Sequence, residues 1–249
     1  MGGQSVKQGI YTVTENTALT ADVMRMTLAG DVSAITRPGQ FLNIRLDGFY
    51  LRRPISVCSV EEGALTILYK IVGRGTAAMA ALQPGARLDV LAGLGNGFDP
   101  AKSGDRPLLI GGGVGVPPLY QLAKELVRAG REVTAILGFN RADEVFYEAE
   151  FRALGARVLV TTADGSYGIR GFVTDAMRTL DGYTFFYTCG PEPMLRAVDA
   201  AAKTGGQLSF ESRMGCGFGA CMGCSCETKY GAKRICRDGP VLEREEIVW

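Results

Sequence analysis

Between residues 9 and about 98, apolar and β-branched positions alternate with polar ones in short runs: Ile10–Thr14, Val23–Leu28, Phe41–Leu46, Ile55–Val60, Leu65–Val72 and Arg87–Leu91. A period of two turns one side of each run to a core and the other to solvent, so each run reads as a strand. Strands this short, separated by glycine and proline turns, predict a closed or nearly closed antiparallel β-barrel. Residues 99–106, DPAKSGDR, are polar and turn-rich, and the rhythm changes after them. Leu108–Ile110 is a short apolar strand running into glycines; Pro117 and Pro118 then open a helical stretch, LYQLAKELVRAG, with apolar spacing near 3.6 and a terminal glycine. Strand Val133–Phe139, helix Val145–Leu154, strand Arg157–Thr162, helix Val173–Leu180, strand Thr184–Cys189 and helix Pro193–Ala202 follow. This alternation predicts a doubly wound, parallel α/β sheet. The last 40 or so residues keep neither period and are expected to hold little regular structure.

A chain of 249 residues suggests two domains with an appended module. With 47% hydrophobic residues it can bury a sizeable core. Its 27 basic and 26 acidic residues leave a net charge of +1 with no long run of either sign, which argues against nucleic acid or an anionic membrane as partner. No stretch approaches the roughly 18 unbroken apolar residues of a membrane span, and the opening MGGQSVKQG lacks the apolar run of a signal peptide. A cytoplasmic protein is expected. The chain has no histidine, which excludes histidine-based triads, histidine-ligated metals and imidazole acid–base catalysis on this chain.

Cysteine spacing changes the picture most. Cys216, Cys221, Cys224 and Cys236 stand as C-x4-C-x2-C-x11-C, the pattern of a plant-type [2Fe–2S] cluster, in which one tight loop supplies three thiolates and a following segment the fourth. Gly215, Gly217, Gly219 and Gly223 interleave with them and let the backbone turn its N–H groups toward sulfur. The alternative is a structural zinc site in a non-enzymatic interaction module. Zinc sites usually pair two separate C-x2-C knuckles, and only one such pair is present here.

The unit LLIGGGVGVPP resembles a dinucleotide fingerprint, with Gly111, Gly112, Gly113 and Gly115 between a strand and a helix N-terminus; Pro118 replaces the third glycine of G-x-G-x-x-G. A tight strand–helix turn with no ligand is the competing reading. After the next strand, Asp143 and Glu144 could accept from a ribose hydroxyl, or Arg141 could meet a 2′-phosphate; the acidic pair favours NAD over NADP. Cys189, Gly190 and Pro191 stand at the carboxyl end of a late strand, where ligands bind in such sheets, and an inert buried cysteine is an equal alternative. In the barrel half, Arg53 and Ser56 and the turn Gly73-Arg74-Gly75-Thr76 could hold a flavin diphosphate; singly, each is a common tetrapeptide.

Taken together, these pieces resemble the ferredoxin–NADP reductase superfamily: a flavin barrel with an R-x-[YI]-S motif, then a pyridine-nucleotide domain with GGG-x-G and CGP. LRRPIS at Leu51–Ser56, the loop ESRMGCGFGACMGC and the closing C-x-DGPV at Cys236–Val241 make the chain similar to the electron-transfer subunits of NAD-dependent dihydroorotate dehydrogenase B, over essentially its whole length. The resemblance implies an FAD-binding barrel over residues 1–100, an NAD-binding α/β domain over 104–204 and a cluster module over 207–249. It implies FAD contacts from Arg53, Pro54, Ile55, Ser56, Leu68, Tyr69, Lys70, Gly75 and Thr76, and iron ligation by Cys216, Cys221, Cys224 and Cys236. Cys226 is extra to the pattern and is left out of the ligand set. The stretch Gly93–Phe98 lacks the proline that the family's G-P-L-G carries there. The implied partner is an FMN-containing dihydroorotate dehydrogenase catalytic subunit, in an α2β2 heterotetramer serving pyrimidine synthesis. Electrons would pass from that FMN through the cluster and FAD to NAD+. The alternative is a subunit of a ferredoxin-linked NAD(P) oxidoreductase, a sulfide dehydrogenase or a hydrogenase, which share this domain order; four cluster cysteines favour the dihydroorotate reading, since some of those relatives carry aspartate in place of one.

Overall fold

The computed structural model describes residues 6–249; the first five residues of the opening segment read above for a signal peptide lie outside them. The strands β1 (Lys7–Ala18), β2 (Val23–Ala29), β3 (Phe41–Ile44), β4 (Arg53–Glu61), β5 (Ala64–Lys70) and β6 (Arg87–Leu94) close into a barrel in the order β1-β2-β5-β4-β3-β6. Alternation does what it predicted. Tyr11 and Val13 of β1, Leu42 and Ile44 of β3, and Leu65 and Ile67 of β5 all fill the barrel interior, while Ile10, one position before Tyr11, is 52% exposed. Between β5 and β6 a short helix, α1 (Arg74–Ala80), leaves the turn at Gly73.

The second half alternates as the periodicity requires: β7 (Pro107–Gly112), α2 (Pro117–Arg128), β8 (Thr134–Phe139), α3 (Glu148–Ala153), β9 (Arg157–Thr162), β10 (Ile169–Arg170), α4 (Val173–Arg178), β11 (Phe185–Cys189), α5 (Glu192–Ala201) and β12 (Gly206–Ser209). The sheet order is β10-β9-β8-β7-β11-β12 with parallel pairing throughout. Chain order reverses between β7 and β11, so a crevice opens at the carboxyl ends of those two strands. One helix starts later than its periodicity suggests. Tyr147 takes a left-handed backbone conformation, φ 64°, and α3 cannot begin before it.

The C-terminal segment differs from expectation. It forms a hairpin, β13 (Ser225–Thr228) with β14 (Gly231–Arg234), and then β15 (Val241–Glu243), which joins β12 antiparallel at the edge of the sheet. Neither β12 nor β15 carries a clear period of two, because both lie buried and partly polar: Gln207 Oε1 accepts from Asp99 N at 2.9 Å, and its Nε2 donates to Glu243 at 2.8 Å. The segment is also tied to the barrel. Asn96, in the stretch that lacks the family's proline, donates to the carbonyls of Asp238 and Val241 at 3.2 and 2.7 Å. Phe41 and Leu94 of the barrel share one core with Cys224, Ile235 and Cys236.

Helix α2 holds barrel and sheet together. Gln121 accepts from Val60 N at 3.1 Å, and the buried Lys124 pairs with Glu61 on the same barrel strand. A buried ammonium is tolerated only when so paired.

Candidate redox site and its relatives

The two halves enclose a cavity of about 590 Å³ at the point where strand order reverses. Asp22, Val23 and Lys70 line it from the barrel, and Gly112, Gly113 and Pro191 from the sheet. Register explains why the glycine and CGP motifs meet: Cys189 pairs with Gly111 across adjacent parallel strands. The glycines divide into two roles. Gly112 and Gly113 face the cavity, whereas a Cβ on Gly115 would stand 2.2 Å from the carbonyl oxygen of Cys189, and one on Gly111 would stand 2.9 Å from Val116 Cα. Gly111 and Gly115 therefore allow close strand–helix packing.

Cys189 is 3% exposed and does not line the cavity; burial and the nearby Glu211 carboxylate push its thiol up to about 12. It is a neutral, packed thiol. Gly190 packs against Met194. Of the acidic pair, Glu144 lines the cavity and Asp143 points to solvent. The Glu144 carboxylate accepts from Asn140 N and Nδ2 at 3.3 and 2.9 Å, which aims it from the end of β8. Arg141 is occupied with Asp143 and Glu144 on the outside.

Sequence reasoning missed Glu211, a lining residue immediately ahead of the cluster loop. By area it is exposed, but its exposure is into the cavity, whose walls strip solvent from it and raise its carboxyl above the usual range. A raised carboxyl binds more protons folded than unfolded, so ionising it opposes folding. Glu211→Gln is expected to stabilise the protein increasingly as pH rises above about 4.5, the ordinary glutamate value, and to leave stability unchanged well below it. Thermal melts across pH 4 to 8 that run parallel for both proteins would contradict this.

The candidate flavin residues gather at one end of β4 and β5. The Arg53 guanidinium lies directly over Gly75 at the start of α1; a Cβ there would be 2.1 Å from Arg53 Nε. The guanidinium also stacks on Phe49 at 5.0 Å. An arginine held against a backbone turn suits a diphosphate, which takes charge-assisted and backbone hydrogen bonds together. Other members of the set are placed differently. Thr76 Oγ1 accepts from Val72 N and Gly73 N at 2.9 and 3.3 Å, so it shapes the turn. Tyr69 is buried, its hydroxyl donating to Asn16 Oδ1 at 3.0 Å. Leu68 is buried in the core shared with α2, and Lys70 pairs with Asp22 at the cavity wall. Pro54 and Ser56 are half-buried on β4 and stand opposite Asn43 and Phe41 of β3, and directly opposed residues share a face. Ile55 packs toward the barrel interior.

Phe41 and Asn43 face the cysteine loop. The four thiols fall into two pairs. Cys221 N donates to Cys216 Sγ at 3.4 Å, and Cys236 N donates to Cys224 Sγ at 3.4 Å. Two pairs of cysteines joined in this way suit two irons, each taking two thiolates. Against its partial burial, Cys216 is held down at about 6 by N–H groups of Cys221, Phe218 and Ala220 and by the Cys221 thiol. Cys236 is pushed up to about 12 by burial and by the sulfurs of Cys224 and Cys216. Sulfurs this close cannot all ionise unless cations sit among them, which is the chemistry a cluster supplies. Cys226 lies on β13 outside both pairs.

A barrel that presents one face to a four-thiolate loop and another to a nucleotide-type crevice defines an electron-transfer protein of the pyridine-nucleotide-linked flavin reductase class. Two family models match the chain: an oxidoreductase NAD-binding domain over residues 109–200, and the iron–sulfur cluster binding domain of dihydroorotate dehydrogenase B over residues 211–248. The protein is 44% identical to the dihydroorotate dehydrogenase B (NAD(+)) electron transfer subunit of Shouchella clausii, over 97% of this chain and 98% of that one. It is 45% identical to the same subunit of Fusobacterium nucleatum, over 95% and 96%. A solved structure of an NADH-dependent reduced ferredoxin-NADP oxidoreductase superposes with a TM-score of 0.87 at 32% identity, covering 100% of this chain and 92% of that one. The chain belongs to the family of dihydroorotate dehydrogenase B (NAD(+)) electron transfer subunits. Among the described residues, no helix is long and apolar enough to cross a membrane.

Proposed function

We propose that this chain relays electrons between a partner's FMN and NAD+, with FAD on the barrel and a [2Fe–2S] cluster on Cys216, Cys221, Cys224 and Cys236. The observation that carries the reading is the shared face of β3 and β4: Pro54 and Ser56 of the flavin motif lie across from Asn43 and Phe41, which meet the cysteine loop. When bound, the flavin supplies hydride exchange with a nicotinamide and single-electron exchange with the cluster. The chain's own groups do the placing. Arg53 and the Gly75 turn bind the diphosphate, Gly112 and Gly113 admit the nucleotide backbone, and the loop from Cys216 to Cys224 wraps the irons.

The partner is an FMN-containing catalytic subunit that oxidises dihydroorotate, in a cytoplasmic α2β2 heterotetramer. Exposed Cys221, Phe218 and Met222 place the outer edge of the cluster loop at the surface, as exchange with another protein's flavin requires. Purification of the native complex, with sizing and measurement of dihydroorotate-dependent NAD+ reduction, tests this. A complex lacking that activity, or a lone chain, would overturn it. The second reading, a ferredoxin-linked NAD(P) oxidoreductase subunit, is favoured by the 32% identical structure, and ferredoxin-dependent reduction of NAD(P)+ by the same preparation would select it.

Glu144, aimed into the cavity by Asn140, supports NAD as the nucleotide, because a carboxylate accepts from ribose hydroxyls and repels a 2′-phosphate. Glu144→Gln is expected to raise the KM for NADH by about tenfold, the loss of one hydrogen bond to a charged group, while that for NADPH falls or holds. Parallel changes for both nucleotides would count against this assignment.

A further inference from the structure

Asn43, on β3, is 1% exposed, and its amide is used asymmetrically. Its Nδ2 donates to the backbone carbonyl of Cys216 at 3.1 Å, while its Oδ1 is buried without a hydrogen-bond partner. A buried oxygen left unpaired opposes folding, a cost set against the single bond that its Nδ2 makes to Cys216. Gly217, the next residue after Cys216, lies against the same amide. Its φ is +80°, and a Cβ there would stand 2.3 Å from Asn43 Nδ2. The backbone of Asn43 is fixed from the other side, paired with Pro54 and accepting from Arg52 Nη1 at 3.3 Å. One side chain thus ties the first cysteine of the loop to the strand beside the candidate flavin motif.

We propose that Asn43 is a positioning residue for the cluster: by pinning the Cys216 carbonyl it sets the hydrogen bonding of the first thiolate, and with it the cluster's reduction potential relative to the flavin. The inference rests on the electron-relay reading above. Cluster potentials follow the hydrogen bonds to sulfur and the local charge. Cys216 Sγ accepts from Ala220 N at 3.2 Å and Cys221 N at 3.4 Å, both donated within a turn that Asn43 holds at its start. With that carbonyl released, the donors turn away from sulfur, the extra electron of the reduced cluster is less well stabilised, and the potential falls. A carboxylate at the same place loses the donor and adds negative charge, which lowers it further.

The test is an EPR-monitored redox titration of the purified protein, with iron and flavin content measured in parallel, on wild type, Asn43→Leu, Asn43→Asp and Gly217→Ala. Both Asn43 variants are expected to keep their iron and flavin. Their cluster midpoint should shift negative enough to change the flavin–cluster electron distribution tenfold, about 59 mV for a one-electron couple, with the flavin potential unchanged. Gly217→Ala should shift it in the same direction, since its methyl would displace the Asn43 amide and its φ of +80° disfavours any Cβ. A wild-type midpoint and wild-type g values in Asn43→Leu would overturn the proposal. So would iron loss in Asn43→Leu combined with an unshifted midpoint in Asn43→Asp, which would leave Asn43 a purely structural role. If wild type itself shows no EPR-active cluster, the relay reading fails first and takes this inference with it.

Discussion

Cys221→Ser is expected to abolish the EPR signal of the reduced cluster and to cut electron delivery to the partner's flavin by roughly 100-fold or more, because a cluster forms only with its full set of thiolates. NADH-driven reduction of a soluble dye should persist, since that needs only the flavin and the nucleotide crevice. Position makes Cys221 the informative choice: it is exposed and belongs to none of the three hydrophobic cores. Its loss therefore removes a ligand without opening a void, and the barrel interior built on Tyr11, Val13, Leu42 and Ile67 is untouched. Cys236→Ser should behave differently. That thiol is 1% exposed and packs in the core that includes Phe41 and Leu94 of the barrel, so flavin retention should suffer along with the cluster. Equal loss of flavin from both variants would show that the two centres are not separable in this way.

Arg53→Ala should weaken flavin retention by about 1.5–3 kcal/mol, a charge-assisted hydrogen bond, or roughly 10- to 150-fold in dissociation constant. Flavin released on dilution, followed by its fluorescence, measures this. Gly75→Ala should reproduce the effect from the opposite side, because its methyl would occupy the place of the guanidinium, 2.1 Å from Nε. Undiminished flavin content in Arg53→Ala at micromolar protein would remove Arg53 from the diphosphate site.

Much of this was legible in the residues because the patterns are local. A period of two located all six barrel strands, and the run of glycines into Pro117 and Pro118 located the strand–helix turn of the crevice. The cysteine spacing was legible for the same reason, since three ligands within nine residues constrain one loop whatever surrounds it. Less was visible where pairing partners are distant. Strand β12 has no periodic signature; it is a strand because β11 and β15 flank it and the buried Gln207 finds Glu243 and Asp99. Glu211 opens the stretch ESRMGCGFGACMGC, but nothing in that stretch marks it as a cavity residue, and only the enclosure of the crevice raises its carboxyl. Motif membership also concealed a division of labour: Gly111 and Gly115 serve packing and Gly112 and Gly113 the cavity, which depends on what lies across from each one.

Hydrophobic period and cysteine spacing by themselves determined the kinds of element and the kind of cofactor chemistry, because both are set by residues near one another along the chain. The tertiary structure alone decided how the centres are joined. It laid the cysteine loop on the barrel face that carries Pro54 and Ser56, through the contact of Asn43 with Cys216 and the packing of Phe41 against Cys224 and Cys236. Those residues are up to 195 positions apart in the 249-residue chain, Phe41 to Cys236, and nothing in the local pattern of either segment specifies the other. Their meeting follows from closing the barrel, adding β15 to the sheet edge and burying the apolar surface left between the two.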